Sequence, residues 1–449
     1  MKRSLLFLAF ASLVSSLAAQ YSVSGGSGIP LQAVNNTQNR LEVYLLNGLS
    51  GAQISFVSSN QGAHQWYRYK DNANNAVPVP SVQNGNRSYI TNIQDGYGYF
   101  VGLPTEELPH YVWIIDYSRY VPRFYSIEAS EEEDKCAYLK ILADVEAEPL
   151  IYYLPVGAPV ELIRTYHLQY NTMEWSNGSL QFLQKSENVE KRGLISEIVI
   201  PAPLEDTYFT LTGDDFAEHF NIRQSIRSGL YKAVAVEVHF TSETDKEHAK
   251  NEIHHAGDVM GGSAPIEYTF TAYANEPVAA LYIWKISQQD SITGKLTDKV
   301  RYTDRILRYN FDQNGRYVVS LEVSDGQSVC VDTTNVFSVV IDNTVVKIPN
   351  AFSPGSSIGI NDELKIAYTS ITAFKASVYN RWGNLLFQWT DPSKGWDGRV
   401  NGKFVPTGAY LVVVEYKDSN GKNRTASRMV NVLRGTNGET NEIEQTGNK

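Results

Sequence analysis

The stretch RYVVSLEVSD, residues 316–325, alternates apolar and polar side chains at almost every step. Tyr317, Val319, Leu321 and Val323 would share one face of an extended chain, because successive side chains of a β-strand point to opposite faces. This period of two predicts a strand with one face on a core and the other in water.

The same alternation recurs in KAVAVEVHF (232–240) and AYLVVVEYKD (409–418). Asn314-Gly315, Asn401-Gly402 and Asn420-Gly421 supply the positive φ angles that tight hairpin turns require. Helical spacing is weak, and its best candidate is the short DDFAEHFNI that starts at Asp214. We therefore predict an all-β chain of tandem immunoglobulin-like β-sandwich domains that ends in a small β-sandwich.

The first twenty residues have the composition of a secretory signal peptide, with Lys2 and Arg3 before the apolar run Leu5–Val14 and small residues after it. No later segment approaches eighteen apolar residues in a row, so we expect no membrane-spanning segment in the mature chain. The last fourteen residues, 436–449, are rich in Asn, Glu and Gly, and we expect them to be disordered.

The net charge and the number of cysteines exclude several classes of protein. The net charge is −10 and no basic block is present, which argues against nucleic acid or an anionic membrane surface as a partner. The only two cysteines are Cys136 and Cys330, so a disulfide framework is excluded. One long-range bridge and two buried thiols both stay open, and the residues favour the thiols.

Changes in composition divide the chain. A Ser/Gly-rich leader covers 21–28, and the acidic run 130–135 and the polar stretch 241–258 would serve as linkers. The predicted segments are the signal peptide 1–20, two immunoglobulin-like domains at 29–135 and 136–245, a third domain at 259–342, a fourth at 345–435 and the tail 436–449.

The third domain resembles the PKD family of immunoglobulin-like domains. Trp284 stands on the strand LYIWKI (281–286), and Gly-x-Tyr-x-Val-x-Leu-x-Val follows at 315–323. The resemblance implies a spacer or binding module. The two earlier domains are interpreted as diverged sandwiches of similar size. We place Trp66, Tyr67 and Tyr69 on a core strand, with loop-tip aromatics that contact a partner as the alternative.

The fourth domain carries six motifs in a fixed order: PNAFSP (349–354), INDELKI (360–366), VYNRWGNLLFQ (378–388), GWDG (395–398), GKFVPTGAYLVVVEYKDSNGK (402–422) and VLR (432–434). Together they resemble the type B C-terminal sorting domain of the type IX secretion system of Bacteroidota, also called the gliding-motility-associated C-terminal domain. The residues that match the family pattern are Pro349, Asn350, Phe352, Pro354, Asn361, Asp362, Tyr379, Asn380, Arg381, Trp382, Gly383, Phe387, Gly395, Trp396, Asp397, Gly398, Pro406, Gly408, Tyr410, Gly421 and Arg434.

This resemblance implies a route and a partner. The chain would cross the inner membrane, fold in the periplasm, and be read by the outer-membrane translocon through residues 345–435. It would end at the cell surface or outer membrane, or outside the cell. Two features depart from the family pattern: Gly355–Gly359 replaces an Asn-Gly-Asp-Gly loop, and fourteen residues follow Gly435.

The residues themselves indicate a compact, turn-defined module. We predict Trp382, Phe387 and Trp396 as core aromatics and Gly383-Asn384 as a two-residue hairpin turn. On this interpretation the folded shape is the signal, and no single side chain has to contact the receptor.

Metal and catalytic candidates are few. His248, His254 and His255 with Glu247, Glu252 and Asp258 match no metal-binding spacing and would be solvated linker residues. Asp214, Asp215, Glu218 and His219 would form the end of a surface helix. We predict no metal site, no cofactor and no catalytic residue, since nucleophile-elbow and phosphate-loop patterns are missing from the sequence. Asp290-Ser291-Ile292 matches the short O-glycosylation pattern of Bacteroidota, which makes Ser291 a candidate acceptor.

The expected function is therefore that of a non-enzymatic surface or secreted protein, exported by the type IX route, that adheres to or binds an unidentified ligand through its sandwiches. One alternative is an accessory or scaffold component of the secretion or surface-attachment machinery. A second alternative is a surface hydrolase whose site the sequence does not reveal.

Overall fold

The computed structural model describes residues 20–58, 62–102, 109–130, 135–253, 260–334, 337–356 and 359–433. Strands make up 57% of the structure and helix only 3%, with one short α-helix among the described residues, which confirms the all-β class. They belong to two compact units, residues 1–174 with 184–233 and residues 234–449 with 175–183. Residues 1–19 of the predicted signal peptide and the predicted tail lie outside the described residues.

The strands up to residue 227 and the helix between them are, in chain order, β1 Gln20–Ser24, β2 Leu31–Asn36, β3 Leu41–Leu46, β4 Gln53–Val57, β5 Gln65–Tyr69, β6 Val77–Val79, β7 Val82–Asn84, β8 Arg87–Ile90, β9 Tyr97–Gly102, β10 Tyr111–Asp116, β11 Arg123–Ala129, β12 Tyr138–Glu146, β13 Leu150–Tyr153, β14 Pro159–Leu162, β15 Thr165–Ser176, β16 Gln181–Arg192, β17 Glu197–Pro201, β18 Thr210–Thr212, α1 Asp215–His219 and β19 Ser225–Arg227. Two 3₁₀ turns, Ala73–Asn75 and Tyr117–Arg119, interrupt the loops.

The first sandwich packs the sheet β1-β4-β8-β7 against the sheet β2-β3-β10-β9-β5-β6. Trp66 is fully buried between them, and its indole N–H donates to Ser88 Oγ at 2.7 Å. Tyr21 lies in the same core at 6% exposure, and its hydroxyl accepts from Val101 N at 2.9 Å. Residues 21–28 are therefore no leader, because β1 is a paired strand and the sandwich starts at Gln20 and not at residue 29.

The central strands β3 and β10 differ from the predicted half-buried antiparallel type. They pair in parallel. Both faces of β10 are buried, and β3 buries Leu41, Val43 and Leu45 on one face and Leu46 on the other. On the face away from the first core, Trp113 packs near Tyr153 at 5.8 Å between ring centroids, in a cluster that also contains Leu150 and Phe220. The two domains predicted at 29–135 and 136–245 thus share an apolar core within one unit.

The structure does not place a domain boundary at 135/136, where the sequence predicts one. β11 precedes it and pairs with β12, in the sheet β11-β12-β17. This sheet encloses a core with β16-β15-β18-β19, in which Ile141, Leu168 and Phe209 are fully buried. The acidic run 130–135, of which 131–134 lie outside the described residues, stands between two paired strands of one sheet and not between two domains.

The strands from residue 238 onward are β20 Val238–Glu243, β21 Gly261–Gly262, β22 Ile266–Ala274, β23 Ala279–Gln289, β24 Leu296–Tyr302, β25 Ile306–Phe311, β26 Gly315–Asp325, β27 Val331–Thr333, β28 Phe337–Ile341, β29 Val345–Lys347, β30 Ala351–Phe352, β31 Leu364–Lys365, β32 Ala367–Thr369, β33 Ile371–Tyr379, β34 Leu385–Trp389, β35 Gly395–Trp396, β36 Arg399–Val400, β37 Lys403–Phe404, β38 Gly408–Asp418 and β39 Asn423–Val432.

The third domain is a sandwich of β20-β22-β25 and β21-β28-β26-β23-β24, with β27 beside β26. Trp284 is fully buried, with Phe270 at 5.8 Å and Phe240 at 6.2 Å between ring centroids. Because β20 pairs with β22, the domain begins near Val238 and not at residue 259. The Asn314-Gly315 pair joins β25 to β26, which lie in different sheets, so the predicted hairpin turn there is wrong.

Both cysteines lie in the described part of the chain, and both are disulfide-bonded. The expectation of two buried thiols is therefore wrong. Disulfides persist in oxidising compartments such as the bacterial periplasm, which agrees with an exported protein.

The fourth domain is built on the sheet β30-β39-β38-β33-β34 and on the strand pairs β29-β32, β31-β35 and β36-β37. β30 and β39 are the first and last strands of that sheet in chain order, and they pair in parallel. Asn401 and Gly402 have φ angles of 52° and 79° between β36 and β37, as expected for a two-residue hairpin turn. Gly421, with φ of 76°, lies in the β38–β39 connection.

Candidate functional site

The candidate site is the fourth domain, and its centre is Trp396. This side chain is fully buried and lies 5.5 Å from Phe352, 6.3 Å from Phe387 and 5.9 Å from Tyr410, measured between ring centroids. Its indole N–H donates to Arg399 O at 2.9 Å, so its only polar atom is satisfied. Four separate motifs therefore meet in one aromatic cluster.

The PNAFSP motif closes the domain on its last strand. Asn350 O accepts from Asn431 N at 2.9 Å, and Leu433 N donates to Phe352 O at 2.9 Å. A Cβ added to Gly398, whose φ is 76°, would lie 2.7 Å from Cγ of Pro354. The glycine of GWDG is therefore required by the close approach of Pro354 as well as by its backbone conformation.

The loop between β33 and β34 has five residues, so the predicted two-residue turn at Gly383-Asn384 is wrong. Asn380 Oδ1 accepts from Trp382 N at 3.0 Å and from Asn384 N at 2.9 Å, and Gly383 adopts a φ of 84°. The asparagine side chain thus organises the loop in place of a tight turn.

Trp382 is 70% exposed at the tip of this loop, and the prediction that it is a core aromatic is wrong. The guanidinium of Arg381 lies 4.2 Å from the centroid of its ring, a cation–π contact. Phe387 is partly buried and packs against the domain core, as predicted. The loop presents a flat, positively charged aromatic pair to solvent.

An apolar row crosses the outer face of the sheet next to this loop. In the sheet, Tyr379 lies opposite both Leu385 and Leu411, and Leu411 lies opposite Met429. Leu385 and Met429 are each 52% exposed. Exposed apolar side chains in adjacent positions are typical of surfaces that bind another protein.

The INDELKI motif follows a loop that departs from the family pattern. Ser353 N donates to Asn361 O at 2.7 Å, and Asp362 Oδ2 accepts from Gly359 N at 2.9 Å. Asp362 therefore binds the backbone of the loop itself. Ser357 and Ile358 lie outside the described residues.

The other matching residues form turns. Asp397 Oδ1 accepts from Arg399 N at 3.0 Å, Gly395 N donates to Glu363 Oε1 at 2.8 Å, and Tyr410 OH donates to Pro406 O at 2.8 Å. Gly408 begins β38. Arg434 lies outside the described residues.

The polar stretch predicted as a linker contributes structure. Glu252 is 8% exposed, and its carboxylate lies 2.8 Å from Lys246 Nζ and 3.2 Å from His248 Nδ1. Burial acts to raise the pKa of Glu252, but hydrogen bonds from Lys246 and Ser263 outweigh it and leave the pKa lowered. Glu247 is exposed, and His254, His255 and Asp258 lie outside the described residues.

Asp214 is the most buried of the acidic candidates, and the prediction of a surface helix end is wrong for it. Its carboxylate pairs with Arg164, accepts from Tyr117 OH at 2.5 Å, and caps the helix by accepting from Ala217 N at 2.9 Å. Sequence reasoning missed Arg164, although a lone arginine beside apolar strands is a signal for a buried partner. Asp214 is thus held by structural bonds.

Asp215 and Glu218 are exposed, as a surface helix end requires. With His167, whose Nε2 lies 2.8 Å from Asp215 Oδ1, they form a group whose ligand atoms lie within 4.8 Å of one another. The group borders a pocket of about 720 Å³ lined mainly by polar side chains, among them Gln169 and Asn188. His219 instead hydrogen-bonds Ile29 O at 2.9 Å.

Ser291 lies in an exposed turn between β23 and β24. Asp290 Oδ1 accepts from Ile292 N at 3.1 Å and Thr293 N at 2.7 Å, and Ile292 is 92% exposed. Ser291 is therefore accessible to a modifying enzyme, and its glycosylation stays a prediction.

Comparisons with known proteins identify two domains. Residues 128–228 match the model of a fibronectin type III domain, and residues 346–431 match the model of the CHU_C type IX secretion signal domain. No curated protein matches. Among solved structures, the dimeric latent PorU from Porphyromonas gingivalis is similar at 10% identity and a TM-score of 0.16, with 74% of this chain and 36% of that chain covered.

Among the described residues, no helix has the length and apolar character needed to span a membrane. Five of the six motifs and the sandwich around Trp396 fall within the residues of the family match, and VLR follows directly after them. The fourth domain of this chain is a CHU_C type IX secretion signal domain, which indicates export by the type IX route to the cell surface or the extracellular space.

Proposed function

We propose that this protein is a non-enzymatic binding protein of the cell surface or its surroundings, which the type IX translocon recognises through the folded fourth domain. The observation that carries the proposal is the secretion signal domain at 346–431, folded as a sandwich around Trp396. A fibronectin type III domain at 128–228 supports a binding role, because such sandwiches present loops and sheet edges to partners.

Two features of the charged clusters support a role without catalysis. Asp214 is committed to Arg164, Tyr117 and the helix cap, and Glu252 to Lys246 and His248. Both carboxylates are engaged by side chains of the fold, which supports a structural role for these two clusters.

The contact surface for the translocon would be the outer face of the sheet β30-β39-β38-β33-β34, where Trp382 extends beside the apolar row. Aromatic and arginine side chains contribute most of the binding energy in many protein interfaces. Arg381 and Trp382 are such a pair, and they are accessible without unfolding of the domain.

Export is tested in a bacterium with a working type IX system, by expressing the full chain and the chain without residues 345–449, each with an internal epitope tag. The full chain should become accessible to added protease on intact cells, and the truncated chain should stay periplasmic. A full chain that stays periplasmic would overturn the export route.

The binding role is tested separately with a deletion strain. Loss of adhesion with normal export of other type IX cargo supports a binding protein. Loss of export of other cargo would assign the protein to the secretion machinery instead, and hydrolysis of a glycan or peptide panel by the purified chain would show an enzyme.

A further inference from the structure

A segment outside the matched signal domain is bound along one of its strands. We call residues 246–253 the strap; they precede the matched residues by almost one hundred positions. The strap and the signal domain belong to the same compact unit.

The strap pairs with β32 through the backbone. Tyr368 N donates to Asn251 O at 3.1 Å, and Ile253 N donates to Tyr368 O at 2.7 Å, which makes a parallel bridge between Glu252 and Tyr368. The other edge of β32 is paired with β29. The strap therefore covers an edge of β32 that would otherwise expose unpaired backbone groups.

Side chains add to this pairing. Asn251 Nδ2 donates to Ile366 O at 2.8 Å and to Pro392 O at 2.7 Å, so one amide joins two separate loops of the signal domain. Thr369 Oγ1 donates to Ile253 O at 2.8 Å. The hydrogen-bonding capacity of the Asn251 amide nitrogen is thereby used in full by the domain.

Ion pairs between side chains of the strap stabilise its conformation. Glu252 is buried against Lys246 and His248, and Lys246 Nζ also donates to Ser263 O. A buried carboxylate needs such partners, because the cost of removing it from water is high.

A second contact lies beside the strap. Ser370 N donates to Ser263 Oγ at 2.8 Å, and Ala264 N donates to Ser370 Oγ at 2.9 Å. Ser263 and Ser370 are both fully buried. This reciprocal pair ties the segment that follows β21 of the third domain to the β32–β33 corner of the signal domain.

We propose that the strap is a structural part of the secretion signal, so that the unit presented to the translocon includes residues 246–253 in addition to the matched residues 346–431. The inference rests on the proposed function for its link to export. Its structural half, that the strap stabilises the signal domain, stands on the contacts with β32 alone.

The test uses the full chain and Asn251→Ala, with Asn423→Ala as the matched control, since Asn423 is an exposed asparagine on β39 of the same domain. Asn251→Ala removes two buried-acceptor hydrogen bonds and should lower the thermal unfolding midpoint by about 4 °C. It should also reduce the fraction of chain that reaches the cell surface, whereas Asn423→Ala should match the wild type in both measurements.

Amide hydrogen exchange on the wild-type chain gives a readout that does not depend on any variant. The amide of Tyr368 should exchange as slowly as those of β38, because it donates to Asn251 O of the strap. The amide of Ser370 should also exchange slowly, because it donates to Ser263 Oγ beside the strap. Exchange at loop rates would overturn the inference, as would an Asn251→Ala chain with wild-type melting and export. Failure of the wild-type chain to be exported would overturn the proposed function and leave the exchange result to judge the strap.

Discussion

Arg164 and Asp214 form an ion pair whose two side chains are 7% and 0% exposed. Arg164 Nη2 also donates to Tyr120 O and to Glu148 O, each at 2.8 Å, so the guanidinium joins three segments of the first unit. The pair sits where the short helix α1 meets the core that contains Tyr117.

Asp214→Ala should destabilise the protein by about 3–5 kcal/mol, because it leaves Arg164 buried without its partner. The measurement is urea unfolding of the purified chain, followed by tryptophan fluorescence. Asp215→Ala is the matched control, since Asp215 is exposed on the same helix and should change stability by no more than about 0.5 kcal/mol. Equal effects of the two substitutions would refute the structural role of the ion pair.

Trp396 and Trp382 lie fourteen positions apart in the same domain, and their substitution should change stability by very different amounts. Trp396→Ala should cost about 3–5 kcal/mol, because it empties the centre of the aromatic cluster. Trp382→Ala should cost about 0.5 kcal/mol or less, because the ring is mostly in solvent. Unfolding midpoints in guanidinium give the comparison, and a large loss from Trp382→Ala would contradict its placement.

The same two variants distinguish two explanations of export: recognition of the folded shape and direct contact of the Arg381–Trp382 pair with the translocon. If the folded shape is the whole signal, Trp382→Ala should be exported like the wild type. If the Arg381–Trp382 pair contacts the translocon, Trp382→Ala should fold normally and be exported less. Trp396→Ala should be exported poorly in either case.

Asp418 gives a prediction for pH. Its Oδ1 accepts from Lys422 N at 2.8 Å and from Asn420 N at 3.0 Å, and its Oδ2 accepts from Arg424 Nε at 3.0 Å. The backbone bond from Lys422 leads the causes that hold the pKa of Asp418 below its ordinary value of 3.8. A lowered pKa in the folded state means stability that is present above pH 3.8 and lost as the pH falls through the folded value.

Asp418→Asn should therefore be less stable than the wild type at pH 7, and the difference should shrink as the pH falls below 3.8. Thermal unfolding from pH 7 to pH 2.5 measures this difference. A gap that stays constant over the whole range would show that the charge of Asp418 contributes nothing. Asp397→Asn, an exposed turn carboxylate of the same domain, is the control.

The disulfide assignment is tested by counting thiols. Protein that is denatured without reductant should take up no maleimide, and after reduction each chain should take up two. Labelling before reduction would contradict the assignment. Intact-mass spectrometry gives the count directly.

The sequence predicted the fold class and the fourth domain well, because both depend on local signals. Period-two alternation identified strands such as β26 and β38, and the Asn401-Gly402 turn follows from its backbone preference. The motifs of the fourth domain follow the order of the family pattern, so a departure at any one residue does not remove the resemblance.

Periodicity failed where long-range pairing decides the structure. The parallel contact between β3 and β10 joins segments about seventy residues apart, and no local pattern reports it. The strap was interpreted as a linker because its residues are polar. Asn251 and Glu252 are polar because they bind backbone carbonyls and a half-buried lysine, so composition alone misleads there.

Local sequence patterns also fail to predict which aromatic residues of the candidate site are buried. Trp382 and Trp396 both stand in short turn-rich stretches, yet one is exposed and the other is fully buried. The difference arises from a five-residue loop that Asn380 holds away from the core. Hydrophobicity predicts how often a residue type is buried, not which copy is.

The parallel pairing of β30 with β39 joins the entrance of the signal domain to its exit. In a chain made from its N-terminus, Phe352 cannot pair with Val432 until β39 has been synthesised. Fragments from broken messages or stalled ribosomes would lack this last strand and would leave the sandwich open. If export requires the folded sandwich, as we propose, this one strand pairing would restrict export to chains whose synthesis has run to completion.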